Sequence, residues 1–135
     1  MNKDSDDLSV IQTNDDATSC KLSLHTLGYI KDTNLDYFSV LHGGFTKLPI
    51  INRGYFARVY TIHKLIEEFS KINNGNCQIL SLGAGFDTSF WKFETIPFVE
   101  VDFEYVIQKK SKIIEKQKNL NSKLKNYEIR ESKKK

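Results

Sequence analysis

The sequence predicts an α/β fold, a doubly wound unit on a parallel sheet with a helical extension ahead of it. Two short apolar runs carry the prediction first: "CQILSL" at 77–82 and "PFVEVD" at 97–102 have the β-branched centres of strands. Each is followed by a segment of helical character, and the glycine-rich turn "LGAGFD" at 82–87 joins the first strand to its helix. Strands that alternate with helices in this way lie parallel, because a parallel pair needs a crossover and not a hairpin. "NYEIRE" at 126–131 is a weaker candidate for a third strand.

Residues 1–13 are rich in Asp, Asn and Ser with few apolar anchors, a composition that predicts disorder. Residues 14–75 read as a helical region. Asn14 or Asp15 caps a helix with Ala17, Cys20, Leu24 and Leu27 at helical spacing, and Gly28 ends it. "NLDYFSVLHGG" reads as a second, short helix capped by Asn34 and stopped by Gly43 and Gly44, after which Pro49 imposes an extended entry into the next element. The longest periodic run is "NRGYFARVYTIHKLIEEFSKIN", with Tyr55, Val59, Ile62, Ile66 and Phe69 on one stripe and Lys64, Glu67, Glu68 and Lys71 on the other side. That pattern predicts one buried face.

"NNGN" at 73–76 breaks the helix, and residues 76–131 form the first part of the α/β unit. Its first strand, apolar and β-branched at the centre, is suited to cover on both faces. "DTSFWKF" follows as a short helix, "PFVEVD" as the second strand, and Phe103 to Gln117 as a helix with Tyr105, Val106, Ile113 and Ile114 inward. Residues 132–135 are a short tail.

A chain of 135 residues that is 39% hydrophobic can bury one sizeable core, so a single domain is expected. No apolar run approaches the roughly 20 residues of a membrane-spanning helix, and the start "MNKDSDD" lacks the order of a signal peptide; a cytoplasmic protein is expected. Cys20 and Cys77 belong to no CxxC or Cys/His cluster, which argues against a metal site and a disulfide framework. The net charge of +3 conceals an asymmetry: residues 1–108 carry 9 basic and 14 acidic side chains, residues 109–135 carry 11 and 3. The Lys-rich end holds one aromatic, Tyr127, and one arginine, Arg130, so stacking and bidentate reading of nucleic acid are poorly supplied. A solvated helix face explains it better.

In a parallel sheet, ligands bind beyond the carboxyl ends of the strands. Gly83 and Gly85 fall at such an end, where the lack of a Cβ permits a tight turn and close approach of a ligand to the backbone. Asp102 closes the next strand and reaches the same rim, where its carboxylate can accept hydrogen bonds from a ribose diol. The spacing fits both a dinucleotide and S-adenosylmethionine. In the dinucleotide fingerprint GxGxxG a third glycine brings a helix start close to a pyrophosphate; here that position is Thr88, preceded by Asp87, whose carboxylate would repel a diphosphate. S-adenosylmethionine has no phosphate and carries a sulfonium cation. A bare GxG is also compatible with a simple turn flanked by a surface acid.

"LSLGAGFDTSFW" at 81–92, "INRGYFARV" at 51–59, "TNDDATSCK" at 13–21 and "FVEVDF" at 98–103 together resemble the leucine carboxyl methyltransferase family. The resemblance runs in order from Thr13 to Phe103. It implies an incomplete Rossmann-like, S-adenosylmethionine-dependent methyltransferase fold, and methyl transfer to the C-terminal leucine carboxylate of the protein phosphatase 2A catalytic subunit. It also implies cofactor contacts: Lys21 and Arg58 at the methionine carboxylate, Gly83 through its backbone beside Gly85, and Asp102 at the ribose. Two convergent cations would clamp that carboxylate by charge-assisted hydrogen bonds. No catalytic base is named, because a chain-terminal carboxyl, with a pKa of about 3.5, is already ionised at neutral pH.

Family members are more than twice as long, so an amino-terminal portion is expected, with later strands and the phosphatase-binding region beyond it. Glu104 stands where the family commonly has proline. Phe56, Ala57 and Trp91 resemble the phosphatase-directed branch; a related branch that modifies wybutosine in transfer RNA shares "INRGY" and "LGAGFD". A third reading, from another class, is a fragment without cofactor affinity whose Lys-rich end is its most active surface. His25, His42 and His63 follow no ligand or triad pattern, and Arg53 reads as structural.

Overall fold

The computed structural model describes residues 3–41, 46–122, 124 and 127–131. Two compact units emerge, Met1–Ala57 and Arg58–Lys135. In chain order the elements are α1 (Lys3–Thr26), a 3₁₀ helix (Thr33–Leu41), α2 (Pro49–Ile72), β1 (Ile79–Leu82), α3 (Ser89–Lys92), β2 (Phe98–Asp102), α4 (Glu104–Lys116), α5 (Lys118–Asn121) and β3 (Tyr127–Glu131).

In the first unit, α1 starts at Lys3, so helix replaces the disorder expected up to residue 13. The stretch from Lys3 to Thr13 contains neither Pro nor Gly to break a helix. The helix ends as predicted at Gly28, whose φ of 77° is the left-handed conformation that glycine tolerates. The amide of Tyr29 donates to the Leu24 carbonyl and that of Gly28 to the His25 carbonyl, which satisfies two of the last carbonyls of the helix. The short helix that follows is 3₁₀ and not α, and its entry is held by Asp32 rather than Asn34: Asp32 Oδ1 accepts the Asn34 amide at 3.1 Å. Gly43 and Gly44, expected to stop it, lie outside the described residues, as does His42. Among the described residues of this unit, Cys20, Leu24, Leu35 and Phe38 are the buried apolar ones.

Pro49 is the first residue of α2, the position where its missing N–H costs nothing. Near the start of α2, Asn52 is 1% exposed and fully engaged. Its Oδ1 accepts the Ser23 hydroxyl at 2.8 Å, its Nδ2 donates to the Lys47 carbonyl at 2.8 Å, and the Lys47 amide returns to Ser23 Oγ at 2.8 Å. This closed loop ties α1, the segment before α2 and α2 itself together. The helix ends on Asn74, at φ 51°, with the Gly75 amide donating to the Ser70 carbonyl at 2.8 Å.

The buried stripe expected on α2 is corrected. Ile62 and Phe69 are 44% and 47% exposed, in line with exposed Leu65 and Ile72. The partly covered face keeps Tyr55, Val59 and Ile66 of that stripe but adds His63, Glu67 and Ser70 in place of Ile62 and Phe69, turned by about one residue. Polar contacts set that face: His63 Nε2 meets Ser89 Oγ at 3.2 Å, and Glu67 Oε1 lies 3.9 Å from Lys92 Nζ on α3.

The three strands are parallel in the order β1-β2-β3. The strand that is covered is β2, with Phe98, Val99 and Glu100 buried. The expectation of cover on both faces of β1 is corrected, since Leu80 and Leu82 are 60% and 73% exposed. In the described sheet β1 has a single neighbour, whereas β2 has two and packs under α4. On α4 the inward residues are Val106, Ile107, Lys110 and Ile114; Tyr105, expected inward, is exposed. Phe90 is the aromatic centre of the unit, stacked on Tyr127 at 4.4 Å and edge-on to Phe98 and Trp91.

Candidate functional site

Because β1 and β2 are parallel, with Leu82 paired to Val101, the residues that follow each strand emerge at one rim. Gly83 leaves β1 at φ 66° and Gly85 follows at φ 53°, both left-handed, so the turn uses the conformational freedom that only glycine has without strain. A Cβ placed on Gly83 meets nothing within 4 Å: the backbone there faces open space. Asp102 ends β2, and its carboxylate closes the turn. Its Oδ2 accepts the Gly85 amide at 2.6 Å and its Oδ1 the Phe103 amide at 2.7 Å. A carboxylate offers about four acceptor positions, so one remains on each oxygen, enough for a vicinal diol.

Asp87 stands at the start of α3, where its Oδ2 accepts the Ser89 amide at 3.0 Å. The negative charge thus sits where a dinucleotide fold would present amides to a pyrophosphate. The residues present fit an adenosyl group without phosphate and do not fit a diphosphate.

Gly83, Gly85 and Asp102 are therefore brought together. Lys21 is half-buried on α1, in the first unit, and Arg58 is exposed on α2, at the start of the second. Among the described residues no group of three His, Cys, Asp or Glu side chains could hold a metal ion, and no helix is long and apolar enough to cross a membrane. His63 and Ser89 resemble a base and a nucleophile, but His63 Nδ1 lies 3.3 Å from Lys92 Nζ, which can only donate. That leaves Nε2 carrying the proton and donating to Ser89, the wrong direction for activating a hydroxyl.

Periodicity alone misses a second cluster. Lys110 and Glu100 are each 2% exposed. The Lys110 ammonium donates to Glu100 Oε2 and, at 2.8 Å, to the Asp87 carbonyl; the Tyr127 hydroxyl donates to the same Glu100 oxygen at 2.6 Å. Burial, then the Glu100 carboxylate, push the Tyr127 phenol far above its ordinary value, so it stays protonated. The available signal was a lysine on the inner stripe of α4 and an acid in the middle of an apolar strand, each needing the other.

The molecule is thus a small α/β protein whose parallel sheet carries a glycine turn and an acid on one carboxyl rim. The profile of the leucine carboxyl methyltransferase family matches residues 12–130, and the chain belongs to that family. The leucine carboxyl methyltransferase 1 of Caenorhabditis elegans is 40% identical over 129 residues, covering 90% of this chain and 39% of that protein. The protein of the same name from Bos taurus is 40% identical over 112 residues, covering 79% and 33%. That from Schizosaccharomyces pombe is 33% identical over 128 residues, covering 90% and 41%. The chain therefore spans about a third to two-fifths of the length of these relatives.

Proposed function

We propose that the chain forms the opening part of a Rossmann-like, S-adenosylmethionine-dependent methyltransferase fold. In this reading it serves methyl transfer to the C-terminal leucine carboxylate of the protein phosphatase 2A catalytic subunit. The observation that carries the reading is the rim itself: a glycine turn pinned by Asp102, with Asp87 at the following helix start, suits an adenosyl cation better than a diphosphate. The names of the relatives support the carboxyl substrate.

Asp102 accepts the ribose hydroxyls, and the Gly83–Gly85 backbone lines the cofactor's path without side chains in the way. Lys21 and Arg58 bind the methionine carboxylate, Arg58 bidentately. The cofactor, when bound, supplies an electrophilic methyl group on sulfur. The chain's residues bind and orient. A leucine carboxylate is ionised at neutral pH and needs no base, so the protein's share of catalysis is alignment at about 3 Å and exclusion of water.

Titration calorimetry with S-adenosylmethionine tests the assignment: Arg58→Ala and Asp102→Ala should each weaken binding at least 10-fold, and undiminished affinity in both would overturn the roles. Mass spectrometry tests the acceptor. A peptide ending in a free leucine carboxylate should gain one methyl group, and its C-terminal amide should gain none; equal labelling of both would refute a carboxyl acceptor.

A further inference from the structure

We infer that buried Lys110 and Glu100, with half-buried Tyr127, form a positioning device for the glycine turn, acting through the one hydrogen bond that Lys110 makes to the Asp87 carbonyl. All three polar groups of Asp87 that reach the turn are in use. Its amide donates to the Ala84 carbonyl at 3.0 Å, its Oδ2 accepts the Ser89 amide at 3.0 Å, and its carbonyl accepts the Lys110 ammonium at 2.8 Å. The near end of the turn is fixed by Asp102 through Gly85, and the far end is fixed from α4 by Lys110.

What directs Lys110 is the rest of the cluster. Glu100 Oε2 receives both the ammonium and the Tyr127 hydroxyl, so β2, β3 and α4 converge on one oxygen. The Trp91 ring lies 5.9 Å from the ammonium. The other carboxylate oxygen, Oε1, is buried and accepts no hydrogen bond from the described residues. A buried ion pair with an unmet acceptor adds little stability over apolar residues of the same shape. The gain is a cation held in one place and aimed at one carbonyl. That the turn so fixed receives the cofactor rests on the proposed function above; that it is fixed by Lys110 does not.

Hydrogen exchange followed by NMR on the 135-residue chain separates positioning from simple packing. The variants are Lys110→Met and the double variant Lys110→Met/Glu100→Gln, which removes both charges, keeps the shape and leaves Tyr127 an acceptor. In the double variant the urea midpoint should return close to that of the parent, while the amides of Gly85, Asp87 and Ser89 exchange at least 10-fold faster and those of β2 do not. Turn amides as protected as in the parent, at recovered stability, would overturn the inference; the double variant decides if the single one does not fold. S-adenosylmethionine affinity measured on the same samples should fall about 10-fold in the double variant. A parent that binds none of it refutes the cofactor reading, and the exchange result still decides the positioning role.

Discussion

Replacing Asn52 with alanine should destabilise the protein by about 2–4 kcal/mol. The carboxamide is 1% exposed and makes two hydrogen bonds of 2.8 Å, one from the Ser23 hydroxyl and one to the Lys47 carbonyl. Alanine leaves the Ser23 hydroxyl proton without an acceptor and the Lys47 carbonyl without its donor, while Ser23 Oγ still accepts the Lys47 amide. A buried polar group deprived of its partner costs about 1–3 kcal/mol. Ser23 is buried and feels the full loss, while Lys47 is half-buried and recovers part of it from water. Against a total stability of about 5–15 kcal/mol the change is large, and with a urea dependence of about 2 kcal/mol per molar it lowers the unfolding midpoint by about 1–2 M. Circular dichroism during urea unfolding reads it. Asn52→Asp keeps the acceptor for Ser23 but buries a charge and loses the donor to Lys47, so it should cost at least as much. A loss under about 0.5 kcal/mol for Asn52→Ala would refute the reasoning, because it would mean the loop of three hydrogen bonds is replaced at no cost.

Three further outcomes follow from the same geometry. Gly83→Ala places a side chain at φ 66°, a strain of about 1–2 kcal/mol, offset by about 0.4–1 kcal/mol from a stiffer unfolded chain; calorimetric unfolding should show a net loss near 1 kcal/mol, with no clash added. Phe90→Ala removes a fully buried ring stacked on Tyr127 and should cost about 3–5 kcal/mol by denaturant titration. Tyr127 is held protonated in the fold, so its contribution is fully present below the ordinary tyrosine pKa of about 10 and is lost only as pH rises above it. Absorbance at 295 nm should show Tyr127 ionising together with alkaline unfolding, and Tyr127→Phe should delete that step.

The strands and the rim were readable because their signals are local. Apolar runs with β-branched centres mark β1 and β2, and a glycine pair precedes an acid at the spacing of one crossover. What escaped was set by partners distant in sequence. Asn52 lies inside the most distinctive stretch of the chain, yet its role depends on Ser23, 29 positions away. Lys110 reads as one more lysine in a basic segment until Glu100 and the Asp87 carbonyl are placed against it. The stripe on α2 was misjudged for a related reason: hydrophobic periodicity finds an apolar face, but polar contacts from His63 and Glu67 to α3 decide which side is covered. The early start of α1 reflects the absence of any breaker between Lys3 and Thr13, which compositional arguments for disorder do not weigh.

The central claim is that the rim formed by Gly83, Gly85 and Asp102 takes an adenosyl sulfonium and refuses a pyrophosphate. Titrating isotope-labelled protein with S-adenosylmethionine and, separately, with NAD⁺ while following backbone amide signals tests it at any affinity down to the millimolar range. The amides of Gly83, Gly85 and Asp102 should shift with S-adenosylmethionine and stay in place with NAD⁺. The reverse pattern, or no movement at these three amides with S-adenosylmethionine, would contradict the account.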